Sequence, residues 1–270
     1  MSNQITITID NQGRRYYTTL PDSTQIEPGT NIIVERDNTL EFATCVAMGI
    51  QSCRSGDEYK FLRIATPSDI TKHNELLQKA NENKIKVQKK VDQYNLQLKL
   101  ISVNTSFDGS KLLVIYTAEE RVDFRALVRD LASLFHTRIE MRQISEREAT
   151  AIIGGVGTCG LEFCCAKHIR MPNEVGIKMA KTQGLALNPT KINGTCGKLL
   201  CCLQYEYDDY KRVQDSMPKL GETISTPDGS GLVVYHDLFN EMVAVKITKD
   251  DQDCVIKYTL QQLGKDKDDR

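Results

Sequence analysis

Most of the signals that announce a function are missing from this chain. Charge of one sign is missing first: 35 Lys and Arg against 36 Asp and Glu leave −1 at pH 7. The molecule as a whole therefore exerts no broad pull on nucleic acid. No apolar run approaches the roughly 18 residues that a membrane span needs. The opening "MSNQITITID" has no basic segment ahead of an apolar one, so no secretory signal is expected. The expected location is the cytosol, where thiols stay reduced. Histidine is scarce and scattered, at His73, His136, His168 and His236, and nothing marks a third group that would orient one of them as a base. The fragment "GGVG" (154–157) lacks the Lys-Ser/Thr that completes a phosphate loop. Enzymatic activity is not expected.

Cysteine, by contrast, is plentiful and clustered. There are nine, an odd number that argues against a disulfide framework. Six of them fall in two boxes, "TCGLEFCC" (158–165) and "TCGKLLCC" (195–202), which lie 37 positions apart and share five of eight residues. Within one continuous helix, positions five apart point about 140° away from each other, too far to share a metal comfortably. Gly160 and Gly197 remove that difficulty, because glycine can take backbone angles closed to other residues. The first cysteine of each box can then sit on a turn before the second begins a helix.

Adjacent cysteines rarely point the same way, so one of each Cys-Cys pair is expected as a ligand. The repeat makes Cys159, Cys164, Cys196 and Cys201 the candidate set. Structural zinc tolerates ligand gaps of two to four residues, and cuboidal clusters take four thiolates, so spacing leaves zinc and iron–sulfur both open. Residues 150–204 carry a net charge of +4, which partly offsets four thiolates and would also suit RNA phosphates. The solitary Cys45, Cys53 and Cys254 are expected to be packing residues.

Around the boxes the texture implies an α+β chain. Residues 1–65 alternate and turn like a small β-barrel. Residues 66–149 read helix, strand, strand, helix, strand, with Ser68 as the first N-cap and Asp108-Gly109 as a hairpin turn. Asp123 is expected to open a helix packed through Phe124, Leu127, Val128 and Leu131. That order suggests a ferredoxin-like layer with helices on one side of a mainly antiparallel sheet. Residues 150–212 form the cysteine segment. Residues 213–263 have the rhythm of a second small, SH3-like barrel, and the tail 264–270 should be frayed.

Several stretches resemble the YaaT/RicT family: "RVDFRALVRDLASLFHTRIEMRQI" (121–144), "GGVGTCGLEFCC" (154–165), "IKMAKTQGLALNPTKINGTCGKLLCCLQYE" (177–206) and the trailing Tyr210. The family carries arginine after each Cys-Gly, where this chain has Leu161 and Lys198. The resemblance implies a non-enzymatic regulatory subunit that assembles with two small helical partners (RicA/RicF-like). It further implies a 4Fe-4S iron–sulfur cluster and an effect on mRNA processing by RNase Y, with consequences for sporulation, competence and biofilm formation. RNase Y is a further implied contact, while RNA contact rests only on the local lysines. Cys165 is followed by the polar Lys167, His168 and Arg170, so it is expected at the surface, as a ligand shared across an interface with those partners. Cys202, followed by Leu203, is expected to pack.

Overall fold

The computed structural model describes residues 3–10, 12, 14–22, 24–49, 57–169, 174–249 and 252–263. Cys53, Arg170 and the tail 264–270 lie outside the described residues. The chain forms two compact units, Met1–Met171 with Thr195–Gly197, and Pro172–Gly194 with Lys198–Arg270. The four segments expected from texture thus fall on two units. The first two, 1–65 and 66–149, share one.

The first unit opens with β1 (Gln4–Thr8), β2 (Arg15–Thr19), β3 (Asn31–Arg36), β4 (Thr39–Met48) and β5 (Glu58–Ile64), which close into a barrel in the order β1-β2-β5-β3-β4. Alternation in β1 sends Ile5 and Ile7 inward, where they meet Ile32, Val34, Tyr16 and Tyr59. Cys45 belongs to this core, and burial pushes its thiol pKa up. Closure rests on a parallel pairing of β2 with β5, Tyr17 opposite Glu58.

Helix α1 (Pro67–Gln93) follows. Its N-cap is Thr66 rather than Ser68, because Pro67 takes the first helical position and Asp69 completes a capping box with Thr66. Arg63 and the Thr66 amide together hold the Asp69 carboxyl well below the usual carboxylate range. Val87 and Val91 bury the far end of the helix, and Leu76 packs near its start.

The middle layer has three strands, β6 (Lys99–Thr105), β7 (Lys111–Thr117) and β8 (Arg138–Gln143), in the order β6-β7-β8. β6 and β7 are antiparallel, but β8 lies parallel to β7, because α2 (Arg125–Phe135) carries the chain back before β8 begins. The expected ferredoxin-like, mainly antiparallel layer is therefore corrected to a mixed three-stranded one. Its helices are not confined to one side either. α1 and α2 cover Leu100, Val103, Leu112 and Val114, while α3 (Glu146–Ile153) lies over Ile101, Leu113 and Ile115. Helix α2 starts two residues later than expected, since Asp123 accepts the Arg125 N–H at 3.1 Å ahead of the first turn.

Short helices α4 (Cys164–Lys167), α5 (Ile177–Thr182), α6 (Pro189–Ile192) and α7 (Cys201–Tyr205) lead to α8 (Tyr207–Ser216). Strands β9 (Thr223–Thr226), β10 (Gly229–Asp237), β11 (Met242–Lys249) and β12 (Gln252–Thr259) then pair only with sequence neighbours. The expected second barrel is thus an open antiparallel meander among the described residues. Cys254, expected to pack, is exposed on its outermost strand β12. Among the described residues no helix is long and apolar enough to cross a membrane.

Leu127 and Leu131 are at most 1% exposed and form the buried stripe of α2, with Val128 half-buried beside them. Leu127→Ala should cost about 2–5 kcal/mol in denaturant unfolding, the range for a leucine in a well-packed core. Unchanged stability would show that this face is not held by its apolar contacts.

Candidate metal centre

The first box is built on the end of α3. A capping box of Ser145 and Glu148 starts that helix, and Glu148 also pairs with Arg14 of the barrel at 3.2 Å. Burial pushes the Glu148 carboxyl pKa up, but the Ser145 amide and hydroxyl and the Arg14 guanidinium outweigh it, so the net shift is downward. The helix stops at Gly154, with φ +73°. At Gly155, φ is +138°, and an added Cβ would stand 2.8 Å from the Phe163 ring.

The turn itself is closed by an antiparallel bridge between Val156 and Glu162. Gly157 N–H donates to the Leu161 carbonyl at 2.8 Å, and Phe163 N–H donates to the Gly155 carbonyl at 3.0 Å. Gly160 sits at φ +81° on the turn beside Cys159. A Cβ on Gly157 would lie 3.4 Å from the Cys159 Sγ, so that thiol lies over its own turn. Cys164 is the first residue of α4.

Every one of these backbone features recurs 37 residues later. Asn193 bridges Leu199, Gly194 N–H donates to the Lys198 carbonyl at 2.8 Å, and Leu200 N–H donates to the Ile192 carbonyl at 2.9 Å. Gly197 has φ +73° beside Cys196, and Cys201 opens α7. The repeat therefore extends beyond the two eight-residue boxes, back to Val156 and Asn193. The identical Gly157 and Gly194 were the available signal for this extension, but Val156 and Asn193 share no chemistry.

Cys159 is exposed, and Cys164, Cys196 and Cys201 are half-buried. Cys159, Cys164 and Cys196 belong to the first unit, and Cys201 to the second. Among the described residues, no group of three or more His, Cys, Asp or Glu side chains stands close enough to hold one metal ion. The donor chemistry of the boxes nonetheless fits zinc or an iron–sulfur cluster, since both prefer thiolates and all four candidates are cysteines on glycine-shaped turns.

The expectation that Cys165 lies at the surface is corrected. Cys165 is 7% exposed and buried rather than at the surface, while Cys202 is only half-buried. Cys165 within α4 and Ile169 just beyond its end are both buried, while Lys167 and His168 are exposed. The other histidines have structural settings. His73 stacks on Phe42 and meets Asp10 at 2.9 Å, His136 ends α2 in a left-handed conformation, and His236 lies 2.8 Å from the Pro218 carbonyl.

The family model described as the PSP1 C-terminal conserved region matches residues 59–144, which run from β5 through β8 and into Ile144. A second, described as the third domain of PSP1-like proteins, matches residues 174–217 and so contains the second box. A Bacillus subtilis protein, "Stage 0 sporulation protein YaaT", is 38% identical over 270 residues, 97% of this chain and 96% of that protein. The chain belongs to the YaaT family. An uncharacterised protein of Schizosaccharomyces pombe is 35% identical over 89 residues, 32% of this chain and 12% of that protein. No solved structure matches the chain.

Two measurements test how the first box is held. Gly160→Ala forces a left-handed φ on an L-residue, at about 1–2 kcal/mol, and Gly155→Ala forces φ +138°, a region nearly confined to glycine, at about 1–3 kcal/mol. Only Gly155→Ala also drives a methyl into Phe163, so it should lose more hydrogen-exchange protection over 154–167. Equal losses would mean that Phe163 yields freely. Glu148 has its pKa lowered by folding, so its contribution is complete above the unfolded carboxylate pKa of about 4.3 and fades as pH falls below it. Glu148→Gln should therefore be less stable than wild type at pH 7, with the gap closing towards pH 3. A gap independent of pH would place the effect in packing instead.

Proposed function

We propose that the chain is a non-enzymatic regulatory scaffold that binds a 4Fe-4S iron–sulfur cluster. In this reading Cys159, Cys164, Cys196 and Cys201 are the ligands. The protein assembles with two small helical subunits of the RicA/RicF kind and thereby modulates mRNA processing by RNase Y. The observation that carries the reading is the duplicated turn, in which two short segments repeat the same bridge, the same amide bonds and the same placement of cysteines. Packing cysteines would not require the bridge, its two turn-closing amide bonds and a positive-φ glycine to be repeated in both boxes. Membership of a family whose Bacillus subtilis representative is named for stage 0 sporulation gives the regulatory part its support.

In this role the glycines present the first thiol of each box, and the opening turns of α4 and α7 present the second. When bound, a cluster of this type would supply a redox-active centre held by thiolates of both boxes. The exposed Lys167, Lys181, Lys191 and Lys198 near the boxes favour a second reading, a zinc-stabilised RNA-binding module, which uses the same cysteines.

Anaerobic purification with visible absorption and metal analysis separates the two readings. The scaffold should be brown and contain iron and sulfide, whereas the module should be colourless and contain zinc. Under either reading Cys196→Ser should lose the metal and loosen 154–167 and 190–205 in hydrogen exchange, because ligation and local folding are linked. Full metal content in Cys196→Ser would overturn the ligand set.

A further inference from the structure

A second feature of the first unit is a polar cleft of about 180 Å³ where the barrel meets β7 and β8. Its inner wall includes Gln12, Tyr16, Glu41 and Tyr59, all at most 6% exposed. The Tyr16 hydroxyl donates to the Gln12 side chain at 2.9 Å, but the buried Arg142 Nε has no hydrogen-bond partner among the described residues, and an unsatisfied buried donor is costly. Four cations line it, Arg14, Arg36, Lys111 and Arg142, together with four carboxylates, Asp37, Glu41, Asp57 and Glu140.

The charges are balanced in number but not in arrangement. Lys111 stands 3.5 Å from both Glu41 and Glu140, so two carboxylates share one ammonium. Burial raises the Glu41 pKa despite that lysine, which is what incomplete compensation produces. Arg14 is engaged by Glu148, and Arg36 lies near Asp37 at 3.8 Å. Arg142 is different. Its guanidinium donates to the Tyr16 hydroxyl at 3.2 Å and to the Gln12 carbonyl, and no carboxylate of the described residues is within ion-pair reach of it. A guanidinium has five N–H donors and suits an oxyanion well.

Glu140 and Arg142 are two positions apart on β8, so they face the same side of the strand with about 7 Å between their backbones. The cleft thus has a negative pole at Glu41 and Glu140 and a positive pole at Arg142. A simple anion would meet the carboxylates, and a simple cation would meet the guanidinium. Ligand pockets commonly span about 300–1,000 Å³, so this smaller space excludes a nucleotide-sized guest. We propose that the cleft binds a small zwitterion of the amino-acid class, its carboxylate on Arg142 and its ammonium towards Glu140 and Glu41.

Thermal unfolding of the full chain with each of the twenty amino acids, with sodium phosphate and with methylammonium chloride tests the assignment. At least one amino acid should raise the unfolding midpoint saturably by about 2–4 °C at concentrations well above its Kd, while the single-charge probes do less. Arg142→Gln should abolish that rise, and Glu140→Gln should weaken the affinity at least tenfold. Glu140 is half exposed, so its variant reports on the cleft even if Arg142→Gln fails to fold. Stabilisation by phosphate alone, strengthened in Glu140→Gln, would make this an anion site and overturn the zwitterion. No saturable shift with any probe would leave the cleft a structural charge network and overturn it as well.

Discussion

Burial of β7 on both faces is the constraint on which the first unit depends. Leu112 and Val114 face α1 and α2, whereas Leu113 and Ile115 face the side covered by α3. Each fully buried aliphatic side chain contributes about 1.5–3 kcal/mol relative to exposure, so four consecutive ones make this strand the element others must cover. The β6–β7 turn ties it to the barrel. Phe107 packs against Ile33 and Phe42, its N–H donates to the Leu40 carbonyl at 2.9 Å, and the Asp108 carboxylate accepts the Leu40 N–H at 3.3 Å. Burial raises the Asp108 pKa, yet the Ser106, Ser110 and Leu40 donors outweigh it and keep the carboxyl low. From the other face of β7, α3 runs directly into the first cysteine turn. The position of Cys159 is thus inherited, through α3, from a strand more than forty residues earlier.

That chain of dependence also explains what could be read from the sequence. The barrel strands were legible because "ITITI" alternates and "NIIVER" is a short run of β-prone residues, and α2 was legible because Leu127 and Leu131 lie four apart. The mixed layer was not, because the parallel pairing of β7 with β8 is decided by where α2 returns the chain. The unbroken "LLVIY" was the available signal: a strand with one solvated face alternates, and this one does not. The missing second barrel has a similar cause. Tight hairpins from β9 to β12 have the same local rhythm in an open meander as in a barrel, and closure needs a pairing between non-neighbours that no local pattern encodes.

At the cysteine turns the legible and illegible parts divide within a few residues. Glycine at 160 and 197 announces a backbone only glycine adopts freely, so the turn could be derived. Which sulfur is buried could not be derived from the boxes, because the deciding residues lie after them. Residue 169 is isoleucine, but its counterpart 37 positions later is Glu206. Residue 166 is alanine, and its counterpart is Leu203. In the first box Cys165 and, just beyond α4, Ile169 are both buried. In the second, Leu203 is 1% exposed and joins Ala180 and Ile192 instead, leaving Cys202 half-buried. Two backbones that share the same bridge and the same turn-closing amide bonds therefore bury different side chains, and the residues that follow each box decide which. For Cys165 to reach a partner's metal, the thiol would first have to give up its own burial. The bridging thiol that the polar Lys167 and His168 suggested is opposed by that burial. Between the two spare sulfurs, it is Cys202 whose access costs less.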